Sequence, residues 1–240
     1  MNLHAYPYQE ALETILNWGK QHKSAYVCFA NVHMTIEAVD HPEFADVVNA
    51  ADMVCADGMP LAKGVQKLYG KKIDRIAGMD MLPDLIAASN KEKLSVFLYG
   101  STEEVLSKIK AKISTNYPAV KLVGAVSPPF RKPTEQEELN DISQINNSGA
   151  NLVFVALGCP KQEKWMAKHS KKINAVLLGV GGAFPVFGEE QKRAPKWIRN
   201  NSLEWFYRLT QDPKRLFKRY FYTNSKFLFL LTRQLIKRKK

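Results

Sequence analysis

Short apolar runs, rich in β-branched and aromatic residues, recur along the chain, and amphipathic stretches separate them. Six runs read as strands, at about 25–30 (Ala-Tyr-Val-Cys-Phe-Ala), 52–56, 94–99 (Leu-Ser-Val-Phe-Leu-Tyr), 120–125, 151–157 and 175–180. Helical patterns lie between them, at about 8–20, 34–50, 78–89, 102–116, 134–147 and 160–170. Such alternation predicts a parallel sheet with helices on its faces. Strands that are apolar throughout predict burial on both sides. The expected class is α/β: a Rossmann-like, mostly parallel sheet with helices on both faces. One helix start is marked by Ser101 with Glu104 three residues on, the pattern of a capping box. Residues 127–134 (Ser-Pro-Pro-Phe-Arg-Lys-Pro-Thr) predict an ordered loop, because the prolines remove donors and fix φ.

After about residue 190 the pattern becomes basic, aromatic and helix-compatible. The expected division is an α/β catalytic domain over 1–190 and a basic amphipathic appendage over 191–240. Charge sharpens that boundary. The net charge is +12, yet residues 191–240 hold 15 Lys/Arg against only Glu204 and Asp212, while the preceding 190 residues hold 20 against 21 acids. At 45% hydrophobic and 24% charged, the chain as a whole has an ordinary globular composition.

Cys28, Cys55 and Cys159 form no metal spacing and cannot all pair, which predicts reduced thiols and a cytosolic chain. The start, Met-Asn-Leu-His-Ala-Tyr-Pro, lacks the basic then apolar pattern of a secretory signal. Near the basic end the longest apolar run, Phe227–Leu231, is far short of the roughly 20 residues that span a bilayer. Any membrane contact is expected at the surface. In the tail, Arg215, Arg219 and Lys226 are expected on a polar helical face and Phe217, Tyr220 and Phe221 on an apolar side, as in helices that lie on anionic bilayers. A packed helix with a solvated basic face, or binding to nucleic-acid phosphates, are the competing readings.

In open parallel sheets, ligands bind beyond the carboxyl ends of the strands. Asn31 follows the first strand, Asp57-Gly58 the second, Gly100-Ser101 the third, and Gly158 and Gly181-Gly182 the last two. A carboxylate at Asp57 suits a general base that deprotonates an attacking hydroxyl, although Asp-Gly is equally a plain turn. Gly100-Ser101 suits phosphate on backbone N–H groups, or simply a helix cap. Lys161 and Gln162, in the first turn after Pro160, are expected near the crevice mouth. Gly179-Val-Gly181-Gly182-Ala does not complete a dinucleotide fingerprint, since its sixth position is Phe184, which counts against a nicotinamide-dependent enzyme. His33 and His41 read as surface or core residues. No Asp-x-Asp is present, so neither metal nor cofactor is expected.

Taken in order, several segments carry a resemblance: Ala30-Asn31-Val32-His33, Ala51–Gly58, Arg75–Asp80, Leu157–Glu163, Gly179–Phe184, Lys192–Pro195 and Leu203–Leu209. The chain resembles the WecG/TagA/CpsF glycosyltransferases of bacterial surface-polysaccharide and teichoic-acid assembly, from about Ala25 to Phe229. The resemblance implies a metal-independent, inverting hexosyltransferase that uses a UDP-sugar donor and a polyprenyl-diphosphate-linked sugar acceptor. Asp57 would be the catalytic base. Asn31, Arg75, Asp80, Gly158, Lys161, Gln162, Glu163, Gly181 and Gly182 would shape the substrate crevice. Arg193, Arg208, Arg215 and Arg219 would face the acceptor diphosphate and the membrane. It also implies a peripheral position on the inner face of the bacterial cell membrane, with no nucleic-acid partner, and leaves a homo-oligomer open. Teichoic-acid members often carry Thr where this chain has Phe29, and many members carry Asp where it has Pro185. The donor stays open among glucose, glucuronic acid, N-acetylmannosamine and its uronic acid.

Overall fold

The computed structural model describes residues 1–200 and 203–238; the side chains of Lys196, Asn200 and Arg215 lie outside that description. Six parallel strands form one sheet: β1 (Ala25–Ala30), β2 (Met53–Ala56), β3 (Ser95–Gly100), β4 (Lys121–Val126), β5 (Leu152–Ala156) and β6 (Val176–Gly179). They lie in the order β2-β1-β6-β5-β3-β4, with every pairing parallel. All six predicted strands are present. Their continuous apolar character reflects a Rossmann-like α/β fold in which both sheet faces are covered.

Helices α1 (Tyr8–Lys20), α2 (Val32–Asp40), α3 (Pro42–Asn49), α4 (Met59–Tyr69), α5 (Gly78–Glu92), α6 (Glu103–Asn116), α7 (Glu135–Asn147), α8 (Lys161–His169) and α9 (Ala183–Phe187) surround the sheet. One apolar cluster joins α1, α5, α6 and α9 to one face, through residues such as Ile15, Leu85, Ile109 and Phe184. A second joins α2, α3, α7 and α8 to the other, through Met34, Phe44, Ile145 and Met166.

Three expectations change. The helix expected over 34–50 is two helices, because Pro42 opens α3 and holds His41 in extended backbone (φ −130°, ψ 91°). The expected capping box at Ser101 is not formed. Thr102 is the N-cap, its hydroxyl accepting from the Val105 N–H, while Ser101 adopts φ +66°. The capping box lies instead at the start of α7, between Thr134 and Glu137. Helix α4 was not expected. Pro60 sits in its first turn, where the missing N–H is harmless, and Gly70 ends it at φ +69°.

Beyond α9 come α10 (Lys196–Asn200), α11 (Glu204–Gln211) and α12 (Pro213–Arg238). With 26 residues, α12 is about 39 Å long at the α-helical rise. It packs on α2 and α4. A Cβ on Gly64 of α4 would touch Phe227 and Leu231 of α12 at 3.7 and 3.8 Å. Among the described residues, no helix is long and apolar enough to cross a membrane.

Candidate active site

A cavity of ≈ 580 Å³ lies beyond the carboxyl ends of β1, β2, β5 and β6. Its floor is made by the residues that leave those strands: Asn31, Asp57, Gly158 and the run Gly179–Ala183. Its roof is made by Glu204, Trp205 and Arg208 of α11 and by Arg219, Tyr220, Thr223, Asn224 and Phe227 of α12.

Asp57 is held by its backbone, the N–H donating to Ala30 O at 2.8 Å. Among the described residues, none donates a hydrogen bond to its carboxylate. Burial pushes that carboxyl up to about 7; the Arg75 and Arg208 guanidiniums pull it down, and Glu204 and Asp80 push it up. Asn31 caps α2, its Oδ1 accepting from the Met34 N–H at 3.1 Å. Its Nδ2 remains available to the cavity that Asn31 lines.

Gln162 is buried and fully engaged. Its Oε1 accepts from the Gly158 N–H at 3.2 Å, and its Nε2 donates to Gly179 O at 3.0 Å and to Glu163 Oε1 at 2.7 Å. It therefore ties the turn after β5 to the turn after β6. Both side-chain N–H donors face protein. Gly179 and Gly181 leave the space it needs, since a Cβ would come within 3.1 and 3.0 Å of its amide. Glu163 is wholly buried beneath it, with Oε2 lacking a hydrogen-bond partner. Burial pushes that carboxyl also up to about 7.

Behind the cavity wall, Asp80 gathers Arg75, Arg193 and Arg199, the last at 3.4 Å. Arg75 also lies 3.8 Å from Glu204. Arg208 and Arg219 line the cavity, as Arg75 and Arg199 do, but among the described residues neither forms an ion pair. The Arg219 Nε is buried without a hydrogen bond. Arg208 lies directly over Gly182, where a Cβ would sit 2.6 Å from its Nη2. Glycine at 182 thus permits the guanidinium to approach the floor.

The structure brings together Asn31, Asp57, Arg75, Gly158, Gln162, Gly181, Gly182, Arg208 and Arg219. Asp80 and Arg193 stand behind that set. Gly100 and Ser101 are elsewhere, at the end of β3, and do not line the cavity. The Ser101 N–H is spent on Ala156 O at 3.0 Å, so that turn has no free phosphate-binding N–H at Ser101. Lys161 is exposed and does not line the cavity, and Glu163 lies under its floor. Arg215 belongs to α12, but its side chain lies outside the described residues.

His33, expected at the surface or in the core, lines the cavity, with Nδ1 3.8 Å from Glu37. Burial, then the nearby Arg219, holds its imidazole below the usual histidine range. The expected grouping of tail aromatics also fails. Tyr220 turns with Arg219 toward the cavity, while Phe217 and Phe221 stack on each other in solvent. Arg199 and Glu204 received no role from the sequence. Glu204 and Arg208 are four apart in α11, and Arg219, Thr223 and Phe227 are four apart in α12, so helical spacing is the signal that could have found this face.

Comparison with known proteins decides the class. Residues 1–240 match the profile of the Glycosyl transferase WecG/TagA/CpsF family. The chain belongs to this family. It is similar to the N-acetylglucosaminyldiphosphoundecaprenol N-acetyl-beta-D-mannosaminyltransferase of Bacillus subtilis (strain 168), 31% identical over 220 residues, which cover 89% of this chain and 84% of that protein. The protein is thus a glycosyltransferase of cell-surface polymer assembly, and the cavity is its candidate active site.

Proposed function

We propose that this glycosyltransferase moves a sugar of the N-acetylmannosamine type, with inversion, from a UDP donor to a sugar carried on a polyprenyl diphosphate. The Bacillus subtilis relative is named for mannosaminyl transfer to an N-acetylglucosaminyl-diphosphate lipid, and 31% identity over most of both chains supports the same substrate classes here. One observation carries the mechanism: among the described residues, no group donates a hydrogen bond to the Asp57 carboxyl, and it shares its cavity with Arg208 and Arg219, neither of which forms an ion pair there.

In this reading Asp57 takes the proton from the acceptor hydroxyl as that oxygen attacks the anomeric carbon. The bond from that carbon to the UDP oxygen breaks, and UDP leaves as an anion. A base with a pKa near the working pH is suited to that transfer. Negative phosphate charge meets the guanidiniums of Arg208 and Arg219, which fixed helices hold in place before the reaction. Asn31 supplies a donor to a sugar oxygen. Gln162 and Asp80 position the residues that touch substrate.

The roof also supports a peripheral place on the inner face of the cell membrane. Among the described residues, ten of the fourteen exposed large hydrophobics lie in the tail, including Trp197, Phe206, Phe217, Phe221, Leu228 and Phe229. They are interleaved with lysine and arginine, the composition that suits a helix lying on an anionic bilayer. Such placement would keep the enzyme in the plane that holds its lipid substrate. The test of the chemistry is Asp57→Asn, assayed by UDP release with a polyprenyl-diphosphate sugar acceptor. Loss of transfer with the fold intact is expected; activity near wild type would remove Asp57 from the base role.

A further inference from the structure

Helix α4 is cationic on a surface that the tail does not account for. Residues 59–73 contain Lys63, Lys67, Lys71 and Lys72 and no acid. Lys67, Lys71, Lys72 and Tyr69 are exposed, Tyr69 to 63%. This segment is not an isolated patch. The contacts of Gly64 with Phe227 and Leu231, and of Tyr69 with Arg238 stacked 5.4 Å above its ring, show α4 and α12 running side by side in the same direction. The carboxyl-terminal end of α4, with Lys67 and the Lys71 and Lys72 that follow the helix, and that of α12, with Arg233, Lys237 and Arg238, therefore lie together, away from the cavity.

We propose that α4 is a second membrane-docking element of the catalytic body, and that its lysines and Tyr69 engage the anionic headgroups of the same bilayer that α12 contacts. The proposal rests on the peripheral-membrane reading above and extends it outside residues 191–240. Charge complementarity argues for the partner, because an anionic surface can meet both cationic helix ends at once. Exposed apolar side chains along α12, Leu228, Phe229 and Ile236 among them, favour a bilayer over a nucleic acid, which offers nothing to bury them in. Two anchors on different elements would also fix the tilt of the molecule. The cavity mouth would then face the membrane at one angle, which a single amphipathic helix free to roll does not impose.

The test is co-sedimentation of the full chain with phosphatidylcholine vesicles containing 30% phosphatidylglycerol, compared with pure phosphatidylcholine. Wild type and the triple variant K67Q/K71Q/K72Q are measured side by side. Each lysine near such a surface contributes a several-fold gain in partitioning, so the triple variant is expected to bind at least tenfold more weakly to anionic vesicles. Its transfer activity on an acceptor presented in detergent is expected to be unchanged, which also shows that it is folded. Equal binding of variant and wild type to anionic vesicles would overturn the α4 proposal while leaving the tail in place. If wild type itself ignores anionic vesicles, the membrane reading fails, and the α4 proposal with it. Loss of RNA binding in the variant with unchanged vesicle binding would likewise overturn it.

Discussion

The floor and the roof of the cavity use the same kinds of polar side chain in opposite ways. On the floor, Gln162 spends both of its N–H donors and its carbonyl on protein, joining two strand ends that are separated by α8 in the chain. On the roof, Arg208 and Arg219 project from two helices into the cavity, and among the described residues neither forms an ion pair. A buried polar group whose bonds are all satisfied within the protein is architecture, since removing it strands its partners. A cation held without a counter-charge is costly unless something anionic arrives. The difference separates residues that hold the site from residues that use it.

The largest effect expected from breaking this contrast lies at Asp57, the floor residue without a hydrogen-bond donor among the described residues. Its replacement by Asn keeps the shape and removes the base. Transfer should fall by roughly 10²- to 10⁴-fold, the usual contribution of general-base catalysis. The same change should raise thermal stability above neutral pH. The folded carboxyl titrates at about 7, against about 3.9 in an unfolded chain. The folded state thus holds its proton more tightly, and stability falls as pH rises from 4 to 7. Asp57→Asn removes that loss, so its melting temperature at pH 8 should exceed that of wild type by a few degrees.

Next come the roof cations. Arg208→Met and Arg219→Met should each lower kcat by about 10²-fold, the scale of one lost electrostatic contact to a developing anion, without loss of stability. A melting temperature that falls with activity would make either arginine a structural residue and erase the distinction from the floor. Gln162→Ala predicts the reverse ranking. It strands the Gly158 N–H, Gly179 O and the Glu163 carboxyl, at a cost of about 1–3 kcal/mol for each buried group left unpaired. Its clearest signature is a melting temperature lower by several degrees, and activity should recover on cooling.

The body of the fold was legible because its strands are uniformly apolar and its helices periodic. Where the reading failed, chain stereochemistry outweighed periodicity. Pro42 split one apparent helix, and Pro60 opened α4 in a stretch where no helix was expected. At Ser101 the pattern of a cap was present, but a left-handed backbone moved the cap one residue on, to Thr102. For the site, position after a strand was a sound guide to Asn31, Asp57, Gly158 and Gly181, because a parallel sheet sends all those ends to one edge. It misled at Gly100, because β3 lies beyond β5, away from the cavity. The roof was harder to read. Which side of a tail helix faces the site depends on how α12 settles against α2 and α4, a tertiary contact that no local spacing encodes.

The smallest effect tests how roof and floor communicate through charge alone. Glu204 descends from α11 to lie 3.8 Å from Arg75, and it helps to raise the Asp57 carboxyl, whereas Arg75 lowers it. Activity that needs ionised Asp57 should rise with pH through about 7 in kcat/KM. Glu204→Gln removes a negative neighbour, so the ionised form becomes easier to reach and the rising limb should move to lower pH. Arg75→Gln removes a positive neighbour, and the limb should move to higher pH. The expected displacement for Glu204→Gln is a few tenths of a pH unit, as charges near solvent are screened. The opposite signs carry the argument. If both variants displace the limb in the same direction, the titrating group is not the Asp57 carboxyl lying between these two charges.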